Sequence, residues 1–189
     1  MNGLFEAALE VQRFMHERDW RFCIIGGLAL ARWGEPRATQ DVDITLLTGF
    51  GDEEGYIRPL LANFASRCSE PEAFAIQNRV LLLRSSNGTG LDIALGGFPF
   101  EEQTVARATP FEVRPGVSLI TCSAEDLVVL KAFAGRAQDW LDVENIVVRQ
   151  SGRLDWTYID EQIVPLSELK AEPEILDRLR ALRQKAAES

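Results

Sequence analysis

The chain has 189 residues, 46% hydrophobic and 26% charged, with a formal net charge of −9, the balance of a soluble globular protein with one core and room for a small appendage. No apolar run approaches the ~20 residues needed to span a bilayer, and residues 1–10 carry two acids and no base, unlike a signal or transit peptide. A cytoplasmic protein with no membrane partner is expected.

Residues 1–122 hold 11 basic and 16 acidic groups and residues 123–189 hold 9 and 13, so no basic tail is hidden in the total. The acidic surplus opposes nonspecific nucleic-acid binding, and an RNA substrate would need a local basic patch. Cys23, Cys68 and Cys122 are too scattered for a disulfide framework or a zinc spacing. The single histidine, His16, rules out a two-histidine zinc site, and it lies in no nucleophile motif. Chemistry is left to carboxylates, whose clusters take hard cations such as Mg²⁺.

In chain order, Leu4, Ala8, Val11 and Met15 recur at helical spacing and predict a helix over 4–18. Residues 21–25 form a short apolar strand stopped by Gly26-Gly27, and 28–33 read as a helix closed by Gly34. Pro36 breaks the chain before an alternating strand over 39–46. A loop over 49–55 leads to a helix over 56–65. Residues 79–84 and 91–95 form a hairpin about Asn87-Gly88. Residues 111–114 and 117–122 form a second strand pair about Pro115-Gly116. After residue 122 the pattern turns helical: 126–134 behind a Ser123/Asp126 capping pattern, then 138–149, 157–169 and 173–187. The expected fold is therefore α/β (α+β), a mixed sheet flanked by helices over 1–122, with a C-terminal helical region, 123–189, packed on it.

The segment Arg37-Ala-Thr39-Gln-Asp41-Val-Asp43-Ile carries the chemistry. If the strand alternation extends through it, residues 37, 39, 41 and 43 share one face, and Val42, Ile44 and Leu46 the other. Aspartate is disfavoured in strands, and two acids two residues apart repel. A divalent cation would relieve both problems; a solvent-facing strand is the bland alternative. Asp92 lies within the apolar run Leu91-Asp92-Ile93, either as an edge-strand charge or as a member of a buried site. Three carboxylates converging on two metals ~3.5–4 Å apart would suit nucleotidyl transfer. Gly26-Gly27, at a strand-to-helix junction, can offer backbone N–H groups to phosphate oxygens, or can be an ordinary tight turn. Neither a Gly-x-Gly-x-x-Gly nor a Gly-Lys-Ser/Thr pattern is present.

Gly26-Gly27, Asp41-x-Asp43 after thirteen intervening residues, and Asp92 in a later strand resemble the signature of the DNA polymerase β-like nucleotidyltransferase superfamily. The resemblance implies that Gly26 and Gly27 help bind an NTP, that Asp41, Asp43 and Asp92 hold two Mg²⁺ (or Mn²⁺) ions, and that Asp92 helps deprotonate an attacking hydroxyl. A second block, Lys131…Arg136…Asp139-x-x-Asp142, with Arg37-x-Thr39-x-Asp41-x-Asp43, resembles the AbiEii/AbiGii-type abortive-infection toxins. That resemblance implies catalytic or phosphate contacts for Lys131, nucleotide contacts for Arg37, Thr39, Arg136 and Asp139, an RNA or tRNA acceptor and an antitoxin partner. It assigns Asp142 no role.

Lys131 also stands out without the family. It is the first of three lysines beside 17 arginines, and it sits in an apolar helix. A compact ammonium suits a phosphate, whereas a lysine on a half-buried helix can also snorkel. Arg136 and Asp139 can equally form a surface pair at i, i+3. Two further readings are an enzyme that nucleotidylates a small molecule, with an acidic pocket for a cationic acceptor, and a non-catalytic nucleotide-binding or interaction module. The four tryptophans show no base-stacking pattern.

Overall fold

The inward residues of the alternating segments build the sheet. Val42, Ile44 and Leu46 are fully buried, as are Leu91 and Ile93, with Leu95 1% exposed. Each such side chain is worth about 1.5–3 kcal/mol when taken out of water. The computed structural model describes residues 2–187. They divide into two compact units: residues 2–28 with 38–122, and residues 29–37 with 123–187.

The first unit begins with helix α1 (Asn2–His16) and strand β1 (Phe22–Ile24). Helix α2 (Gly26–Trp33) starts here and continues into the second unit. Strand β2 (Asp41–Leu47), helix α3 (Glu54–Asn63), strand β3 (Ala65–Ser66) and helix α4 (Pro71–Asn78) follow. Then come β4 (Val80–Arg84), β5 (Gly90–Gly96), helix α5 (Pro99–Ala106), β6 (Thr109–Arg114) and β7 (Val117–Thr121). The strands form a seven-stranded mixed sheet in the order β3-β4-β5-β2-β1-β7-β6. The pairs β2/β5 and β1/β7 are parallel, and the other neighbours are antiparallel. Helix α1 supplies Ala7, Ala8, Val11 and Met15 to one hydrophobic cluster with the sheet.

The second unit contains residues 29–37 and helices α6 (Ala124–Ala134), α7 (Ala137–Arg149), α8 (Trp156–Lys170) and α9 (Glu174–Ala187). Ser123 caps α6 by accepting from the Asp126 N–H at 3.1 Å, and Gly135 ends it at φ 72°, a left-handed conformation that suits glycine. Helix α6 is apolar nearly all round and packs against α7, α8 and α9. Arg149 and Gln150 donate to the carbonyls of Gly34 and Trp33 at 2.5 and 2.8 Å, tying residues 29–37 to α7.

Three features differ from the sequence reading. The two-residue strand β3 and the helices α4 and α5 were not legible, because two residues show no period and neither helix has a marked apolar face. Helix α2 starts at Gly26, so both glycines lie in its first turn. Strand β2 starts at Asp41, not at residue 39. Arg37 and Thr39 therefore precede the strand and do not share the aspartates' strand face.

Candidate active site

Strands β2 and β5 run parallel with Asp43 opposite Asp92 and Asp41 opposite Gly90. Directly paired residues of neighbouring strands point to the same face, and residues two apart do as well. Asp41, Asp43 and Asp92 consequently lie on one face of two adjacent strands. The β4–β5 hairpin alone could not fix this. It needed β5 to insert beside β2.

The glycines act locally on this cluster. Gly26 has φ 59°, and a Cβ there would lie 2.6 Å from Asp43 Cγ. A Cβ on Gly27 would lie 2.7 Å from Thr39 Cβ. A glycine pair thus lets the start of α2 close against Asp43 and Thr39. Asp43 gains a helix N-terminus, whose partial positive charge favours a carboxylate. Thr39 Oγ1 donates to the Asp41 carbonyl at 3.3 Å and so holds the entry to β2.

A residue that sequence reasoning missed completes the group. Arg67, just after β3, bonds Asp92 through Nη2 and lies 3.5 Å from Asp41 Oδ1 through Nη1. A Cβ on Gly90 would collide with Asp41 and come within 3.0 Å of Arg67 Nη1, so Gly90 makes room for the pair. Only its place after a two-residue strand marks Arg67, and such a strand leaves no periodic signal.

In donor type the three carboxylates suit a hard divalent cation. As their side chains stand, no group of three or more His, Cys, Asp or Glu residues among the described residues is arranged to hold a metal ion. Asp41 and Asp92 are gathered instead by the guanidinium, a cation of the chain itself.

The second block forms its own cluster within the helical unit. Lys131 Nζ donates to Asp142 at 2.6 Å and to Asp139 at 3.3 Å. Arg37 Nε reaches both oxygens of Asp142 at 3.2 Å, and Gln138 adds a bond at 3.1 Å. Arg136 Nε holds Asp139 at 2.5 Å. Lys131, Asp139 and Asp142 are all buried. Burial pushes the Asp139 carboxyl up, but the Arg136 hydrogen bond and the Lys131 charge outweigh it and hold the group below the usual carboxylate range. Burial likewise raises Asp142, and the hydrogen bonds from Lys131, Arg37 and Gln138 bring it below that range. Arg37, Lys131, Arg136 and Asp139 are thus brought together with Asp142, and Lys131 links the pair Arg37–Asp142 to the pair Arg136–Asp139.

Other residues take structural places. Cys23 and Cys122 are buried, and His16 is exposed against Phe22. Trp33, Trp140 and Trp156 each carry an arginine over the ring: Arg32, Arg178 and Arg183. No described helix is long and apolar enough to cross a membrane.

Residues 2–186 match the model of a family described as nucleotidyltransferase of unknown function (DUF6036), and the chain belongs to that family. No curated protein matches it by sequence. Among solved structures, an antigenic nucleotidyltransferase-like protein from Paracoccidioides brasiliensis is similar, with a TM-score of 0.52 and 15% identity over 94% of this chain and 91% of its own. The lincosamide antibiotic adenylyltransferase LnuA, solved with lincomycin bound, has a TM-score of 0.50 and 13% identity over 75% and 94%. The antibiotic-resistance factor ANT(2'')-Ia has a TM-score of 0.50 and 16% identity over 99% and 97%. At these identities the likeness is one of fold. The chain has the nucleotidyltransferase fold, as the resemblance carried by Gly26-Gly27, Asp41-x-Asp43 and Asp92 implies.

Proposed function

We propose that this member of the nucleotidyltransferase family transfers an NMP from an NTP to a hydroxyl acceptor. The observation that carries the reading is the register of β2 and β5, with Asp43 beside Asp92 and Asp41 on the same face. The acceptor oxygen forms a bond to the α-phosphorus, the bond to the β-phosphate oxygen breaks, and pyrophosphate leaves. Asp92 accepts the hydroxyl proton. Asp41 and Asp43, completed by Asp92, would hold Mg²⁺, or Mn²⁺ in its place, which supplies charge neutralisation for the triphosphate and the attacking oxygen. The backbone N–H groups at Gly26 and Gly27, in the first turn of α2, would meet phosphate oxygens. Lys131, Arg37 and Arg136 pair with Asp139 and Asp142, and we assign all five to support of the helical unit.

The acceptor we favour is a small hydroxylated cation. A net charge of −9 suits such a molecule better than RNA. Two proteins that share the fold are a lincosamide adenylyltransferase and an antibiotic-resistance factor. A second reading, a toxin that modifies tRNA or another RNA and is restrained by an antitoxin, rests on the Lys131–Asp142 block.

The test is incubation of the protein with Mg²⁺ and labelled NTPs, against aminoglycosides, lincosamides and total RNA in parallel. Label should enter the small-molecule pool and be lost with Asp41→Asn. Label on RNA would install the toxin reading. NTP binding without transfer would make the chain a binding module. No binding at millimolar NTP and Mg²⁺ would overturn nucleotide chemistry altogether.

A further inference from the structure

We propose that Arg67 is the resident counter-cation of the acidic site. It holds Asp41 and Asp92 while no divalent ion is bound, and it must release them before one can bind. The proposal rests on the metal-dependent reading above and concerns a residue that reading does not use.

The geometry carries it. One guanidinium bridges carboxylates on two neighbouring strands, through Nη1 to Asp41 and Nη2 to Asp92. Arginine's planar fork suits this bridging. Its side chain is 20% exposed, and its Nε is buried with no hydrogen-bond partner among the described residues. A buried donor left unmet costs free energy. The guanidinium is therefore held by the carboxylates rather than by a full set of its own bonds. Gly90, opposite Asp41, supplies the space.

The main chain beneath is fixed. Arg67 N donates to the Leu82 carbonyl at 3.0 Å, and Leu82 is the β4 partner of Asp92. Cys68 N donates to Ser66 Oγ at 2.9 Å, and Ser66 Oγ lies 3.0 Å from the Cys68 carbonyl, which closes the turn around Arg67. Release by side-chain rotation would leave these main-chain bonds in place.

A divalent ion and this guanidinium compete for the same oxygens. The observed metal affinity equals the intrinsic affinity reduced by the fraction of molecules in which Arg67 has withdrawn. Removing the guanidinium removes that reduction.

The experiment titrates Mn²⁺ alone, followed by electron paramagnetic resonance, into the full chain and into Arg67→Met and Arg67→Gln. Both variants should bind Mn²⁺ at least about fivefold tighter than the parent. Mn²⁺ should also raise their melting temperatures by more than it raises the parent's. Variants that fold only with Mn²⁺ present would support the same conclusion. Equal or weaker Mn²⁺ binding by the variants, with binding by the parent retained, overturns the role of Arg67 and leaves the transferase reading standing. Variants that fail to fold even with Mn²⁺ overturn it too, making Arg67 a structural residue. Absence of Mn²⁺ binding by parent and variants alike overturns both proposals.

Discussion

Asp142 and Asp92 invite comparison. The Asp142 side chain is 1% exposed and takes bonds from Arg37, Lys131 and Gln138. The Asp92 side chain is 34% exposed and meets Arg67, and its neighbour Asp41 is 43% exposed. A carboxylate buried within a set of donors is committed to the fold, and removing a partner strands a charge. Carboxylates gathered on an accessible face around one shared cation can exchange that cation for a ligand. The two clusters set the same residue type in different surroundings.

The comparison can be broken most decisively at Lys131. Lys131→Met should destabilise the helical unit by about 3–5 kcal/mol, because Asp139 and Asp142 stay buried beside fewer charges. Urea unfolding measures it, and a loss below ~1 kcal/mol would end the claim that this cluster is structural.

Acid probes the same network. Asp139 and Asp142 have lowered folded pKa values, so their contribution is complete above the unfolded value of ~3.9 and is lost as pH falls through the folded values. Melting temperatures taken downward from pH 6 should drop below that point, and the drop should be shallower in Asp142→Asn.

Gly26→Ala is a smaller perturbation. Left-handed backbone and the clash with Asp43 should cost about 1–2 kcal/mol, visible as a lower melting temperature. Smallest in stability is Asp41→Asn. Its partly exposed ion pair is worth less than about 1 kcal/mol, yet nucleotidyl transfer should disappear. A large stability loss in that variant would make the two clusters alike.

Much of this was written locally. Asp41 and Asp43 share a face because they stand two apart in a strand, and Val42, Ile44 and Leu46 mark the other face as core. The Asn87-Gly88 hairpin and the Ser123 cap were legible for the same reason: their signals span a few residues. Arg37 lies off the aspartates' strand face because the alternation runs back past the true start of β2, and its partner Asp142 lies 105 positions away.

By itself, then, the sequence determined the elements with a strong period, the acidic pair and the glycines at the start of α2. Tertiary structure decided that β5 would insert beside β2 and bring Asp92 level with Asp43. It also decided that Arg67 would lie across Asp41 and Asp92, and that Lys131 would meet Asp139 and Asp142. Periodicity reports which side of an element is buried. Which distant residue meets that side depends on the pairing of whole elements, and no short stretch of sequence encodes it.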